Sequence, residues 1–125
     1  MVNYELLINS WTQGQIDQND KVIRVEINRG GLYQLNIKLD TTAIFSAPFS
    51  CGFGHERQGK WIVNKMDKTI IFTFTKKVGY LNSPGTTNIN EIEIYKIRKL
   101  TIDELILTQF VDGKERTMQF IKAEN

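Results

Sequence analysis

The chain has one cysteine, two prolines and one histidine in 125 residues. Cys51 alone closes no intramolecular disulfide, so the fold rests on its hydrophobic core, and a reducing compartment is the favoured setting. One histidine and one cysteine fall short of the four ligands of a structural zinc site, and no metal is expected. No apolar run approaches a membrane span, which excludes a helical membrane protein. Charge of one sign is also lacking. Sixteen basic residues against 14 acidic ones leave +2, too little to draw the chain toward nucleic acid or anionic lipid. Helical periodicity, internal repeats and low-complexity tracts are absent too. With 41% hydrophobic and 24% charged residues, the composition is that of one soluble globular domain, 1–125. The first ten residues lack the basic start and long apolar run of a signal peptide. The expectation is a cytoplasmic protein if Met1 is the native start, and a periplasmic or exported one if a leader precedes it.

What is present is alternation. A short turn over Tyr4 to Ile8 leads into a strand around Asn9 to Asp17. Ile23, Val25 and Ile27 alternate with Arg24, Glu26 and Asn28, the period of a half-buried strand. Arg29-Gly30-Gly31 then predicts a hairpin into Tyr33, Leu35, Ile37 and Leu39. From Asp40 to Arg57, Pro48, Gly52 and Gly54 interrupt the pattern, and short strands with a mobile loop are expected. Trp61 and Val63, a turn at Lys65 to Lys68, and Ile70, Phe72 and Phe74 form a second hairpin. Lys77 to Asn90 reads as a long loop. Ile92 and Ile94 share one parity and Tyr95 and Ile97 the other, which predicts a bulge near Tyr95 or burial on both faces. A tight turn over Leu100 to Glu104 precedes a strand from Leu105 to Val111. Asp112-Gly113 is a two-residue hairpin signal before Met118 and Phe120. The fold class is therefore all-β: a single antiparallel up-and-down barrel of about eight to ten strands, whose closure removes exposed edges.

Three segments carry a resemblance. Leu7-Ile8-Asn9-Ser10-Trp11, Gln58-Gly59-Lys60-Trp61 and the run from Tyr95 to Leu107, Tyr-Lys-Ile-Arg-Lys-Leu-Thr-Ile-Asp-Glu-Leu-Ile-Leu, resemble the bacterial lipocalin-like domains of the calycin group of eight-stranded barrels. The resemblance implies that Trp11 seals one end of the barrel and that the third segment joins two late strands. It also implies that a basic residue of the last strand, Arg116 or Lys122, crosses Trp11. Asn9 stands where such domains carry glycine.

No catalytic constellation is visible, and no enzyme activity or cofactor is expected. Cys51 and His55 are four apart, the spacing that suggests a thiol with a nearby base. Cys51 also alternates with Phe49 and Phe53, as a buried small hydrophobe does. Gly52-Phe53-Gly54 is followed by no helix that would make it a phosphate loop. Lys76-Lys77 and Lys96, Arg98 and Lys99 around Tyr95 suggest a single-strand nucleic-acid face, but Glu91, Glu93, Asp103 and Glu104 balance them as solvated strand faces. Inward parity collects the aromatics. An eight-stranded lumen either packs solid or holds one small molecule. The expected partner is a small apolar or amphipathic molecule, bound non-covalently by Tyr33, Leu35, Trp61, Phe72, Phe74, Phe110, Arg116 and Phe120, with Tyr33 and Arg116 as polar contacts. The alternative is a filled barrel that binds another protein through its loops or outer face.

Overall fold

The computed structural model describes residues 3–25, 32–50, 53–79 and 85–123. After a one-turn 3-10 helix, Tyr4–Leu7, come nine strands: β1 (Asn9–Ile16), β2 (Val22–Arg24), β3 (Gln34–Ile37), β4 (Thr42–Ser50), β5 (Phe53–Asn64), β6 (Thr69–Gly79), β7 (Gly85–Leu100), β8 (Glu104–Val111) and β9 (Lys114–Lys122). All pairings are antiparallel. From β3 to β9 each strand pairs with the next, and β1 bonds to both β3 and β9, closing an up-and-down barrel of eight strands with β2 as an extra strand outside it. The all-β barrel expected from alternation is present. Among the described residues, no helix is long and apolar enough to cross a membrane.

Turn chemistry and paired parity explain the order. Asp112 and Gly113, at φ 53° and 76°, supply the two left-handed positions of the tight β8–β9 hairpin. The turns at 38–41, 65–68 and 101–103 lie at the other end of the barrel, with the 3-10 helix. There Trp11 is buried, and its indole N–H donates to the Leu7 carbonyl at 3.0 Å. Trp61 donates likewise to the Lys38 carbonyl at 2.9 Å, tying β5 to the β3–β4 turn. Lys122, not Arg116, is the residue opposite Trp11 on the last strand. Above this sealed end, Leu35, Ile37, Ala43, Ile70, Phe72, Phe74, Leu105, Leu107 and Phe120 fill the lower lumen with almost no exposed surface. Burying apolar area at about 25 cal/mol per Å² makes this layer the main source of stability.

Several sequence expectations are corrected. β2 pairs with β1, through Gly14↔Arg24 and Ile16↔Val22, while β3 pairs with β1 and β4. The proposed hairpin between the Ile23 and Tyr33 strands is therefore not the pairing seen, and its turn at Arg29 to Gly31 lies outside the described residues. Gly14 permits the real one: a Cβ there would stand 2.4 Å from Val22 Cγ1. Val22 is buried and Ile23 exposed, so the alternation is out of phase by one. The span from Asp40 to Arg57 is not a set of short pieces. β4 and β5 run on to a Ser50↔Phe53 pair, with Pro48 inside the register shift between Ala47 and Ser50, where a missing N–H is tolerated. Lys77 to Asn90 is strand on both sides, paired from Lys76↔Asn88 to Gly79↔Gly85; the link at 80–84 lies outside the described residues. Of the two readings of the Ile92–Ile97 parity, a bulge near Tyr95 is present, between Ile97 and Lys99 against β8, whereas burial on both faces is not, since Ile92 and Ile94 are exposed.

The upper sheet also widens in steps. Between two matched levels, β5 uses Gln58 and Gly59 and β6 uses Phe74 to Lys76, whereas β7 uses Asn88 to Glu91. Each extra residue is a bulge that bends the sheet. Gly59 makes the first bend feasible, because a Cβ there would meet the Thr73 carbonyl oxygen at 1.9 Å.

Candidate functional site in the barrel lumen

Antiparallel partners share a face, so register tells which side chains meet inside. Phe45 faces Arg57, Phe74 faces Glu91, Phe72 faces Glu93, and Ile70 faces Tyr95. The aromatic members of this set are core residues, and three charged side chains therefore sit on the inner wall. The Arg57 guanidinium lies 4.4 Å from the centroid of Phe74 and 5.2 Å from that of Phe45. Its Nη1 donates to Glu91 at 2.9 Å and also to Glu93, while Nη2 reaches Glu93 at 3.3 Å. The Tyr95 hydroxyl donates to Glu93 at 2.5 Å. The side chains of Arg57 and Glu93 are only 12% and 22% exposed, against 46% for Glu91.

Rings extend the cluster on both sides. Phe72 stacks on Phe74 at 5.6 Å and meets Tyr95 edge-on at 5.8 Å, while Tyr33 tilts against Phe45 at 5.7 Å. The inner wall thus reads Tyr33, Phe45, Arg57, Phe74, Phe72, Tyr95 from β3 across to β7. A cavity of about 100 Å³ adjoins its β3 end, lined by Gln13, Tyr33, Thr117, Met118, Gln119 and Phe120. Gln13 Oε1 accepts the Tyr33 N–H at 3.2 Å there.

A charge taken out of water is costly unless it is paired and hydrogen-bonded. Burial draws the Glu93 carboxyl upward, but the Arg57 and Tyr95 hydrogen bonds and the Arg57 charge outweigh it and hold the group below the usual carboxylate value. Burial, and then donation to Glu93, push the Tyr95 phenol up, so it stays a hydrogen-bond donor at neutral pH. For Arg57, burial opposes charge, and its bonds to Glu93 and Glu91 restore it beyond the ordinary value. His55, on the same strand, is drawn down by burial and next by the charges of Lys77 and Arg57, which leaves it neutral at pH 7. Arg57 Nε is buried and has no hydrogen-bond partner among the described residues. The wall is therefore a satisfied ion-pair network with one donor left over.

Of the residues singled out from sequence, Leu35, Phe72, Phe74 and Phe120 lie in the packed core, and Tyr33 and Phe120 meet at the small cavity. Trp61 packs against the core near the sealed end. Arg116 is exposed opposite Gln109, yet its charge is felt by Tyr95. Phe110 is 70% exposed opposite Glu115, so it does not belong to the inner wall. Cys51 lies outside the described residues. Alternation missed Arg57, Glu91, Glu93 and Gln13. One signal was available for the carboxylates: Glu91 and Glu93 share the parity of Tyr95, which is buried. Among the described residues, no three His, Cys, Asp or Glu side chains gather into a metal-holding group. No protein-family model, curated protein or solved structure matches the chain, and its site is read from its own residues.

Proposed function

We propose that this chain is a lipocalin-like binding protein that holds a small amphipathic molecule non-covalently in the upper half of its lumen. The observation that carries the reading is Arg57, seated between two aromatic faces with a buried Nε that has no acceptor among the described residues. A buried donor without a partner costs free energy that a bound oxygen acceptor recovers. Rings beside it suit the apolar part of such a molecule. Drug-sized sites measure roughly 300–1,000 Å³. The cavity of about 100 Å³ by Tyr33 has room for only one end of such a ligand.

A second reading, a filled barrel that binds another protein, draws support from the packed lower lumen and from an outer row in which exposed Ile62 and Ile94 flank half-buried Ile71. Titration with an uncharged environment-sensitive dye, followed by calorimetry, separates the two. Lumenal binding gives about one-to-one stoichiometry and a negative heat-capacity change. Arg57→Lys keeps the charge and removes Nε, and it weakens binding while the fold remains. No saturable binding to folded wild-type protein transfers the weight to the second reading.

A further inference from the structure

β7 is paired on both sides over only part of its length. Its ladder with β6 runs from Thr69↔Lys96 to Gly79↔Gly85, whereas its ladder with β8 ends at Lys96↔Thr108. Among the described residues, no strand pairs with the other edge of β7 from Gly85 to Tyr95. An open edge is a template for another strand, and proteins guard such edges with lysine, proline, bulges or inward charges. The segment from Gly85 to Tyr95 contains no lysine, arginine or proline, and its inward charges, Glu91 and Glu93, are both acidic, so they guard the edge against an acidic or apolar strand but not against a basic one. Its bulge opposite Thr75 protects only the upper part, leaving Glu91 to Tyr95 as a regular edge, about the usual length of one strand.

The faces of this edge specify its partner. Glu91 and Glu93 point inward beside Arg57, whereas Ile92 and Ile94 are more than half exposed on the outer face. We propose that the Glu91–Tyr95 edge receives an extended peptide as an added strand, with basic residues opposite the two glutamates and β-branched residues opposite Ile92 and Ile94. Backbone hydrogen bonds supply the attachment, and alternate side chains supply the choice of sequence. A second copy of this chain fits less well. Two such edges paired antiparallel about Glu93 bring like charges face to face, whereas a basic peptide meets opposite ones. The peptide's basic side chains share the inner wall with the lumenal site, whereas its backbone attachment requires only the β7 edge.

The probe is a fluorescein-labelled peptide, Thr-Val-Lys-Val-Lys-Val-Thr with blocked ends, followed by anisotropy at 0.15 M salt, a concentration that screens loose charge attraction beyond about 8 Å. Saturable binding is expected, with slowed amide exchange from Glu91 to Tyr95. An analogue N-methylated on the residues facing β7, and one with glutamate in place of lysine, each bind at least about tenfold more weakly, equivalent to roughly 1.4 kcal/mol. Glu91→Lys reverses the charge preference. If that variant does not fold, Glu91→Gln reduces the preference instead. Absence of binding up to about 1 mM, near the weakest measurable association, overturns the proposal. So does equal binding of the N-methylated peptide. A dimer of the protein alone that Ile92→Pro abolishes overturns it as well, in favour of the second copy.

Discussion

Replacing Arg57 by methionine tests whether the inner wall is an electrostatic unit. Methionine keeps an unbranched stem against Phe45 and Phe74 but leaves Glu93 in the wall with only Tyr95 for a donor and Glu91 beside it. Removing one partner of a buried pair costs about 3–5 kcal/mol, whereas an exposed pair is worth about 0–1. The small exposure of both Arg57 and Glu93 assigns this pair to the first class. A domain of this size has about 5–15 kcal/mol in total, so the variant folds with a much reduced margin. The loss depends on pH in a definite direction. Glu93 has a depressed folded pKa in the wild type, so its contribution is present above the unfolded value of about 4.3 and fades as pH falls through the folded one. In Arg57→Met, burial is no longer opposed by Arg57 and the carboxyl takes up a proton more readily. The gap between variant and wild type therefore shrinks by up to about 1.4 kcal/mol per pH unit toward pH 4. Urea denaturation at a pH of about 7.5, where the carboxyl is ionised, and at about 4.5, near its unfolded value, reads this directly. The cycle with Glu93→Gln and the double variant should give a coupling of about 1.5 kcal/mol or more. A loss below about 1 kcal/mol that does not change with pH would refute the buried-pair argument.

Trp11→Ala is expected to cost about 3–5 kcal/mol, since it empties a fully buried indole site and orphans the Leu7 carbonyl. A loss below about 1 kcal/mol on denaturant titration would show that the sealed end does not depend on it. β2 is latched to the barrel by Glu104, whose Oε2 accepts from the Val22 N–H at 2.8 Å and from Lys99 Nζ at 3.0 Å. The Val22 amide above all holds this carboxyl below its usual value, so the latch is intact above pH of about 4.3 and opens as pH falls through the lower folded value. Protection of the Val22 amide, relative to its intrinsic exchange rate, should fall over that range in the wild type and be low at every pH in Glu104→Ala; protection unchanged down to a pH of about 3 would exclude the latch.

The parts legible in the sequence are those where one face is apolar and a turn signal fixes the register. Ile70, Phe72 and Phe74 are inward as their alternation indicates, and Asp112-Gly113 makes its hairpin. The Ile23, Val25, Ile27 alternation misled because β2 has no place in the barrel; its one buried side chain, Val22, is covered at the latch. Pro48 and Gly54 resembled a loop because a bulge carries the same residue types, while Gly52 lies outside the described residues. The charged wall was hidden for a different reason. Period-two reasoning places the charged face of a strand in water, and in β7 Glu91 and Glu93 are inside while Ile92 and Ile94 are outside. The opposite charge that offsets this inversion comes from Arg57, 36 residues from Glu93, and no local pattern contains both.

The stepwise widening from β5 to β7 also constrains how the upper sheet tolerates changes in length. Each strand has its own residue count between the same two levels, and inside and outside alternate one by one on either side. Loss or gain of a single residue above the bulges of β6 or β7 turns the upper side chains of that strand inside out relative to its neighbours. A change of two leaves every face as it was. The upper sheet can therefore be lengthened or trimmed in even steps alone, and paired changes on neighbouring strands preserve the inner wall while moving its rim.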